Sequence, residues 1–361
     1  MWAPGGLATG IGSLPYTEPE PALNLIGAYL PAMPHWPQLP LLGPQEGFVL
    51  QFLYPLLETG LLERDGDKVY FATGATDWPE RLAAFYALYL AAEEGDREAL
   101  ERFAIPREAA SGFYAFLERA PAGPAAFVKG QVVGPLTAAF QLTDAGGRPA
   151  YYDEQLRDLV VKNLAFQGRW QAEALGGSGG KVLVFVDEPG VSIYGQSTYI
   201  TVTREMIVED LEAVVAGIRA VGAKAAIHSC AAVDWSILMD TGAEVLSLDA
   251  YGYFDSLLPY RAELDAFLAR GGVVAWGIVP TSDRVETETV ESLTAMLEAH
   301  WKELSDRGIP ADRLRRQCLI TPSCGAGTLT VALAERIYRL TAGVSEVVRS
   351  GGAGTAPVEG F

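Results

Sequence analysis

Short apolar runs alternate with longer amphipathic stretches along this chain, and the alternation predicts a fold. Seven runs read as strands: "LATGIGS" (7–13), "AAFVKGQVVG" (125–134), "KVLVFVDEPG" (181–190), "KAAIHSC" (224–230), "AEVLSLDAY" (243–251), "GVVAWGIVP" (272–280) and "RQCLITPSCG" (316–325). Their near-continuous apolar character implies burial on both faces, as in a parallel sheet covered by helices. The intervening pattern predicts helices over 153–176, 203–221, 286–306 and 328–348, with shorter ones near 231–241 and 256–270. Thr17 with Glu20, and Asp77 with Glu80, are spaced as capping boxes that would open two further helices. The proline-rich "AYLPAMPHWPQLP" (28–40) is the best candidate for an eighth strand. Together these elements predict an α/β fold, a (β/α)8 TIM barrel forming a single domain over 1–361 with N-terminal elaborations. The stretch around 41–124 reads as a helical insertion. An open doubly wound sheet is the alternative, but no G-x-G-x-x-G follows the first run.

Composition narrows the partners. A net charge of −18 argues against nucleic acid and anionic membrane, since both need clustered Lys and Arg. No apolar run reaches the roughly 18–20 residues that span a bilayer, and the N-terminal "MWAPGGLATGIGSLP" lacks the regions of a secretory signal. Three cysteines in 361 residues make no disulfide framework, so the expected compartment is the cytoplasm, with the thiols reduced.

In barrels of this type the chemistry lies at the C-terminal strand ends. The runs carry there, in order, Ser13, Lys129, Asp187 with Glu188, His228 with Cys230, Asp249, and Cys324. His228 and Cys230, two residues apart on a strand, share a side. With Cys324 they supply the imidazole and thiolate ligands that zinc prefers. A lone cysteine is more often a buried apolar filler, and Cys318 inside "QCLI" is read that way. Two thiolates and a neutral imidazole leave divalent zinc without net charge. Such a centre suits activation of a bound thiol better than of water.

The motifs "GIGSLP", "VKGQVVGPLT", "VFVDEP", "IHSC", "EVLSLDA" and "TPSCGAGT", in that order, resemble the C-terminal catalytic barrel of cobalamin-independent methionine synthase. The resemblance covers about residues 7–348, and extends to the superfamily shared with uroporphyrinogen decarboxylase and corrinoid-linked thiol methyltransferases. It implies zinc on His228, Cys230 and Cys324, with Asp249 near the position of a further ligand. It implies that Ile11 to Ser13 hold the homocysteine carboxylate, and that Asp187, with Glu46 from "LGPQEGF", binds the amino group. Two departures bear on the methyl donor. The family's N-terminal half has no counterpart before the barrel, and Val279 stands where a proton-donating histidine is expected. Both point away from methyltetrahydrofolate and toward methylcobalamin carried by a corrinoid protein, as in the short, single-barrel members.

The expected activity is therefore zinc-dependent methyl transfer to a thiol, homocysteine by preference, giving methionine. Three alternatives stay open: another thiol such as coenzyme M, a uroporphyrinogen-decarboxylase-like enzyme, or a non-catalytic zinc subunit of a corrinoid complex.

Overall fold

The computed structural model describes residues 2–66, 68–119, 125–177 and 181–351. Its strands, in chain order, are β1 (Leu7–Ala8), β2 (Leu62–Asp65), β3 (Lys68–Phe71), β4 (Phe127–Val133), β5 (Lys181–Asp187), β6 (Lys224–Ser229), β7 (Val245–Leu248), β8 (Val273–Val279) and β9 (Cys318–Pro322). Seven of them form one parallel sheet in the order β1-β9-β8-β7-β6-β5-β4, while β2 and β3 pair as a separate antiparallel hairpin. Each of the seven strands in the parallel sheet corresponds to one of the seven apolar runs.

The eighth run behaves differently. Segment 28–40 forms no strand; it contributes single bridges, His35 to Lys129 of β4 and Ser13, beyond β1, to Gln38. Pro31, Pro34 and Pro37 supply no N–H, so a continuous ladder cannot form here. Even so, one short segment touches the outer strands on both sides. His35 and Gln38 are three residues apart, about 10 Å at full extension, so the sheet is curled until its edges nearly meet. The structure thus shows a curled seven-stranded parallel sheet where eight strands were expected.

Successive strand residues face opposite ways, and the core divides accordingly. Phe127, Leu183, Phe185, Ala226, Val245, Val273, Ala275 and Leu319 pack with Trp2, Ile11 and Met33 inside the curl. Their alternates Val182, Val184, Val186, Ile227, Leu246 and Ile320 belong to the larger core beneath the helices. Continuing the inward period toward the C-terminal strand ends gives Lys129 and Gln131 on β4, Asp187 on β5, His228 on β6 and Ser247 on β7. An apolar plug at one end thus gives way to a polar, buried layer at the other.

The long helices fall close to their expected bounds: Glu154–Gly176, Arg204–Arg219, Val290–Asp306 and Val331–Gly351. Asp153 and Thr203 cap the first two with side-chain bonds, and Thr289 with Ser292 forms a capping box on the third. The two boxes expected from sequence are absent. Pro19 opens its helix from an Ncap, Glu18, that makes no side-chain bond, and Asp77 pairs with Arg81 at 3.0 Å. Within 41–124 the described residues hold the 16-residue helix Trp78–Glu93, shorter helices and the β2–β3 hairpin; residues 67 and 120–124 lie outside the description. Among the described residues no helix is long and apolar enough to cross a membrane.

Candidate metal centre

His228 is the inward residue near the end of β6, buried, with Asp187 beside it on β5 and Ser247 on β7. Its Nδ1 lies 2.9 Å from Ser247 Oγ, whereas its Nε2 is buried and has no hydrogen-bond partner of good geometry among the described residues. Cys230 follows directly on the same side. Cys324 comes from the loop after β9, which is pinned at Ser323: its N–H donates to the Val279 carbonyl (2.8 Å), and its Oγ accepts from the Thr281 N–H (3.1 Å). The imidazole nitrogen and both sulfurs lie within 4.8 Å of one another. Tetrahedral zinc, with bonds of about 2.0–2.3 Å, needs its ligand atoms roughly 3.5–3.8 Å apart. The three groups stand within about 1 Å of that spacing, and the buried Nε2 has no hydrogen-bond partner outside the group among the described residues. The donor set fits zinc.

The cysteines are half-buried and interact. A hydrogen bond from Cys324 pulls the Cys230 thiol down, and the same bond, with burial, pushes Cys324 up. One sulfur is thus closer to thiolate than the other. Cys318, by contrast, sits in the helix-facing core with Sγ 3.0 Å from the Arg315 carbonyl, and burial pushes its thiol up to about 12.

The loop carrying Cys324 is stitched to the Ile11–Ser13 turn. Ala326 N–H donates to the Ser13 carbonyl (2.9 Å) and Gly327 N–H to Ser13 Oγ (3.2 Å). A Cβ on Gly325 would stand 2.2 Å from Ser13 Oγ, so only glycine fits between the two segments. Ile11 is buried in the inner core and its carbonyl accepts from Lys129 Nζ at 2.5 Å.

The acidic candidates separate by their bonding. Asp187 is buried with Oδ1 unpartnered; burial raises its carboxyl, opposed by His228 and Lys129. Glu188 points to the other side and is saturated, accepting from Leu136 N (2.8 Å), Thr137 N (2.8 Å) and the Thr137 hydroxyl. Asp249 caps the short helix Ala250–Tyr253 through Gly252 N (2.7 Å) and is not in the three-residue ligand group. Glu46, in the turn Pro44–Glu46, accepts from Ser111 N (3.1 Å) and Oγ (2.5 Å), leaving a buried Oε2 unpartnered. Burial raises the carboxyls of Glu46 and Asp249 too. Val279 is buried at the end of β8.

Ser247 was not among the residues singled out from sequence. A polar residue inside the apolar run "EVLSLDA" is a signal for it, but its partner emerges only from the β6–β7 register, which pairs it with His228.

No protein-family model and no curated protein sequence matches the chain. Similar solved structures include a B12-independent methionine synthase from Shewanella sp. W3-18-1 in complex with selenomethionine, at 16% identity and a TM-score of 0.43 over 63% of this chain and 64% of that one. The chain therefore spans less than two thirds of that synthase. A methyltransferase from Methanosarcina mazei matches at 15% identity and TM-score 0.47, over 95% and 94% of the two chains. A putative vitamin-B12 independent methionine synthase from Listeria monocytogenes matches at 14% and 0.47, over 76% and 89%. Likeness at this level assigns neither family nor activity.

Proposed function

We propose that the chain is a zinc-dependent methyltransferase acting on a thiol, with homocysteine as acceptor and methionine as product. The observation that carries this is the convergence of a His228 ring nitrogen and the Cys230 and Cys324 sulfurs within 4.8 Å at the C-terminal strand ends. Zinc, when bound there, lowers the pKa of an added thiol and holds it as the nucleophilic thiolate. The ligand group holds three residues and does not include Asp249, which leaves a fourth position for that thiol. This favours a catalytic over a purely structural metal.

The surrounding residues suit an amino acid. Asp187 offers a buried, unpartnered carboxylate oxygen to an ammonium group, and Glu46 holds a second one in reserve. A sulfonate-bearing thiol such as coenzyme M would meet repulsion at Asp187. The Ile11–Ser13 turn, fastened to the Cys324 loop, would receive the carboxylate.

For the donor, the apolar Val279 offers no proton to a departing amine, which disfavours a folate. A methylcorrinoid needs none: the acceptor sulfur's electron pair forms the S–C bond as the methyl–cobalt bond breaks, and that bond's electrons remain on cobalt. Delivery by a corrinoid protein is the reading that suits this donor chemistry. We read the fold as a (β/α)8 barrel in which the segment around His35–Gln38 takes the place of one strand. Reduced thiol ligands suit the cytoplasm.

The test combines metal analysis with methylcobalamin-dependent methylation of L-homocysteine. Purified protein is expected to hold one zinc, and Cys324→Ser to lose both metal and activity. Protein without zinc, or a Cys324→Ser variant with full metal and activity, overturns the proposal.

A further inference from the structure

Lys129 is a buried cation that the proposed chemistry leaves without a task. It lies wholly inside the curl, above Phe127 and below the level of Asp187, with no exposed surface. Its ammonium donates to the Ile11 carbonyl at 2.5 Å and to Gln131 Oε1 at 3.0 Å, and stands 4.4 Å from the centre of the Phe185 ring. Both hydrogen-bonded partners are neutral, and the opposing charge that acts on it, the Asp187 carboxylate, makes no hydrogen bond to it among the described residues. Burying an ammonium in this way is unfavourable, and an apolar residue continuing the inner core would avoid the cost.

What the ammonium holds is informative. The Ile11–Gly12 peptide is trans and planar, so its N–H points opposite to its C=O. With the Ile11 oxygen drawn toward Lys129, the Gly12 N–H is directed away from it. Neither the Gly12 nor the Ser13 N–H donates to a backbone carbonyl among the described residues. Gln131, the second partner of Lys129, in turn donates to the Trp36 carbonyl at 3.1 Å. The lysine therefore ties the Ile11–Ser13 turn both to β4 and, through Gln131, to the segment that bridges the sheet edges.

We propose that Lys129 is a positioning residue: it locks the Ile11–Gly12 peptide so that the N–H groups of Gly12 and Ser13 present a donor pair to an anionic group of the acceptor. The inference rests on the homocysteine reading above and deepens it. Its consequence is selective, since a thiol without a carboxylate does not use the donor pair.

The test uses zinc-loaded full-length protein, with L-homocysteine and ethanethiol as probes. Binding is measured by calorimetry, and KM and kcat with methylcobalamin. Lys129→Met is expected to weaken L-homocysteine binding and raise its KM by about 10–100-fold, while ethanethiol binding shifts less than about twofold. Zinc content stays at the wild-type level, and kcat at saturating L-homocysteine stays within about threefold of wild type. Gln131→Leu removes one anchor of the ammonium and is expected to show the same selectivity at about threefold, which keeps the test open if Lys129→Met does not fold. Equal loss for both thiols, or loss for neither, overturns the positioning role. Wild-type protein that binds zinc and ethanethiol but not L-homocysteine overturns the acceptor assignment, and this inference with it.

Discussion

Replacing Ser247 by alanine isolates one contact in the metal centre. Ser247 Oγ lies 2.9 Å from His228 Nδ1, and both side chains are buried. For Nε2 to offer a lone pair to a metal, Nδ1 must carry the proton and donate it to the serine oxygen. Alanine removes that acceptor, so the ring loses the contact that sets both its tautomer and its orientation. Removing such outer partners of a ligating histidine typically weakens metal affinity about 10–100-fold, or about 1.4–2.7 kcal/mol. The apo protein should also lose about 1–3 kcal/mol of stability from the unsatisfied N–H, a cost separable by urea denaturation. The assay is competition for zinc against a chromophoric chelator at fixed pH, comparing wild type, Ser247→Ala and His228→Ala. The expected order of affinity is wild type, then Ser247→Ala, then His228→Ala. Wild-type affinity in Ser247→Ala alongside loss in His228→Ala refutes the tautomer argument; unchanged affinity in both removes His228 from the ligand set.

Two further consequences concern stability. Burial raises the Glu188 carboxyl from 4.5 to about 7, so the folded state holds that proton more tightly than the unfolded chain. Its contribution to stability is full below about pH 4.5 and falls, by about 3 kcal/mol at most, as pH rises through about 7. Urea midpoints should show a shallower fall between pH 5 and 7.5 in Glu188→Gln than in wild type; identical slopes refute the assignment. Gly325→Ala places a methyl 2.2 Å from Ser13 Oγ and is expected to cost about 1–3 kcal/mol. Because the clash is with the hydroxyl, Gly325→Ala made in a Ser13→Ala background should cost less, and additive costs in the double-mutant cycle would show that the two residues do not meet.

Legibility in the sequence followed the range of the physics involved. His228 and Cys230 could be placed together because strand period alone puts i and i+2 on one side. Cys324 joined them through a single further assumption, that strand ends share one end of the sheet. The proline-bearing segment 28–40 misled because its extended character is real while its ladder is not: Pro31, Pro34 and Pro37 keep the chain straight but remove the donors. Thr17 and Asp77 had the spacing of capping boxes, yet proline in the first turn and an Arg81 partner settled those ends differently. The β2–β3 hairpin had a signal in "RDGDK", a turn dipeptide between short runs, which the helical pattern around it obscured. Lys129 reads from sequence as a strand-end residue but lies third in β4, and its contacts, like the pairing of Ser247 with His228, depend on register between strands and on contacts across the inside of the curl. No local pattern encodes those.

The structure offers its own way to tell a structural polar group from one kept for a ligand, because it holds matched pairs. His35 and His228 are both buried, but Nδ1 of His35 meets the Trp36 carbonyl at 2.8 Å and its Nε2 meets the Tyr338 hydroxyl at 2.7 Å, so its capacity is used within the fold. His228 has one nitrogen satisfied and one without a partner. Glu188 and Asp187 are neighbours in sequence and equally enclosed, yet Glu188 spends both oxygens on the start of the helix Pro135–Gln141, while Asp187 leaves Oδ1 open. Unsatisfied buried groups are uncommon, and each costs about 1–3 kcal/mol. Orphaned atoms also occur elsewhere in this chain, Trp276 Nε1 among them. Those of His228 and Asp187 differ in standing side by side on adjacent strands, next to two half-buried thiols, at the end of the sheet where the inner core turns polar. A metal and an amino acid thiol would satisfy both at once, so the free energy that unsatisfied groups cost the fold becomes binding energy for such ligands.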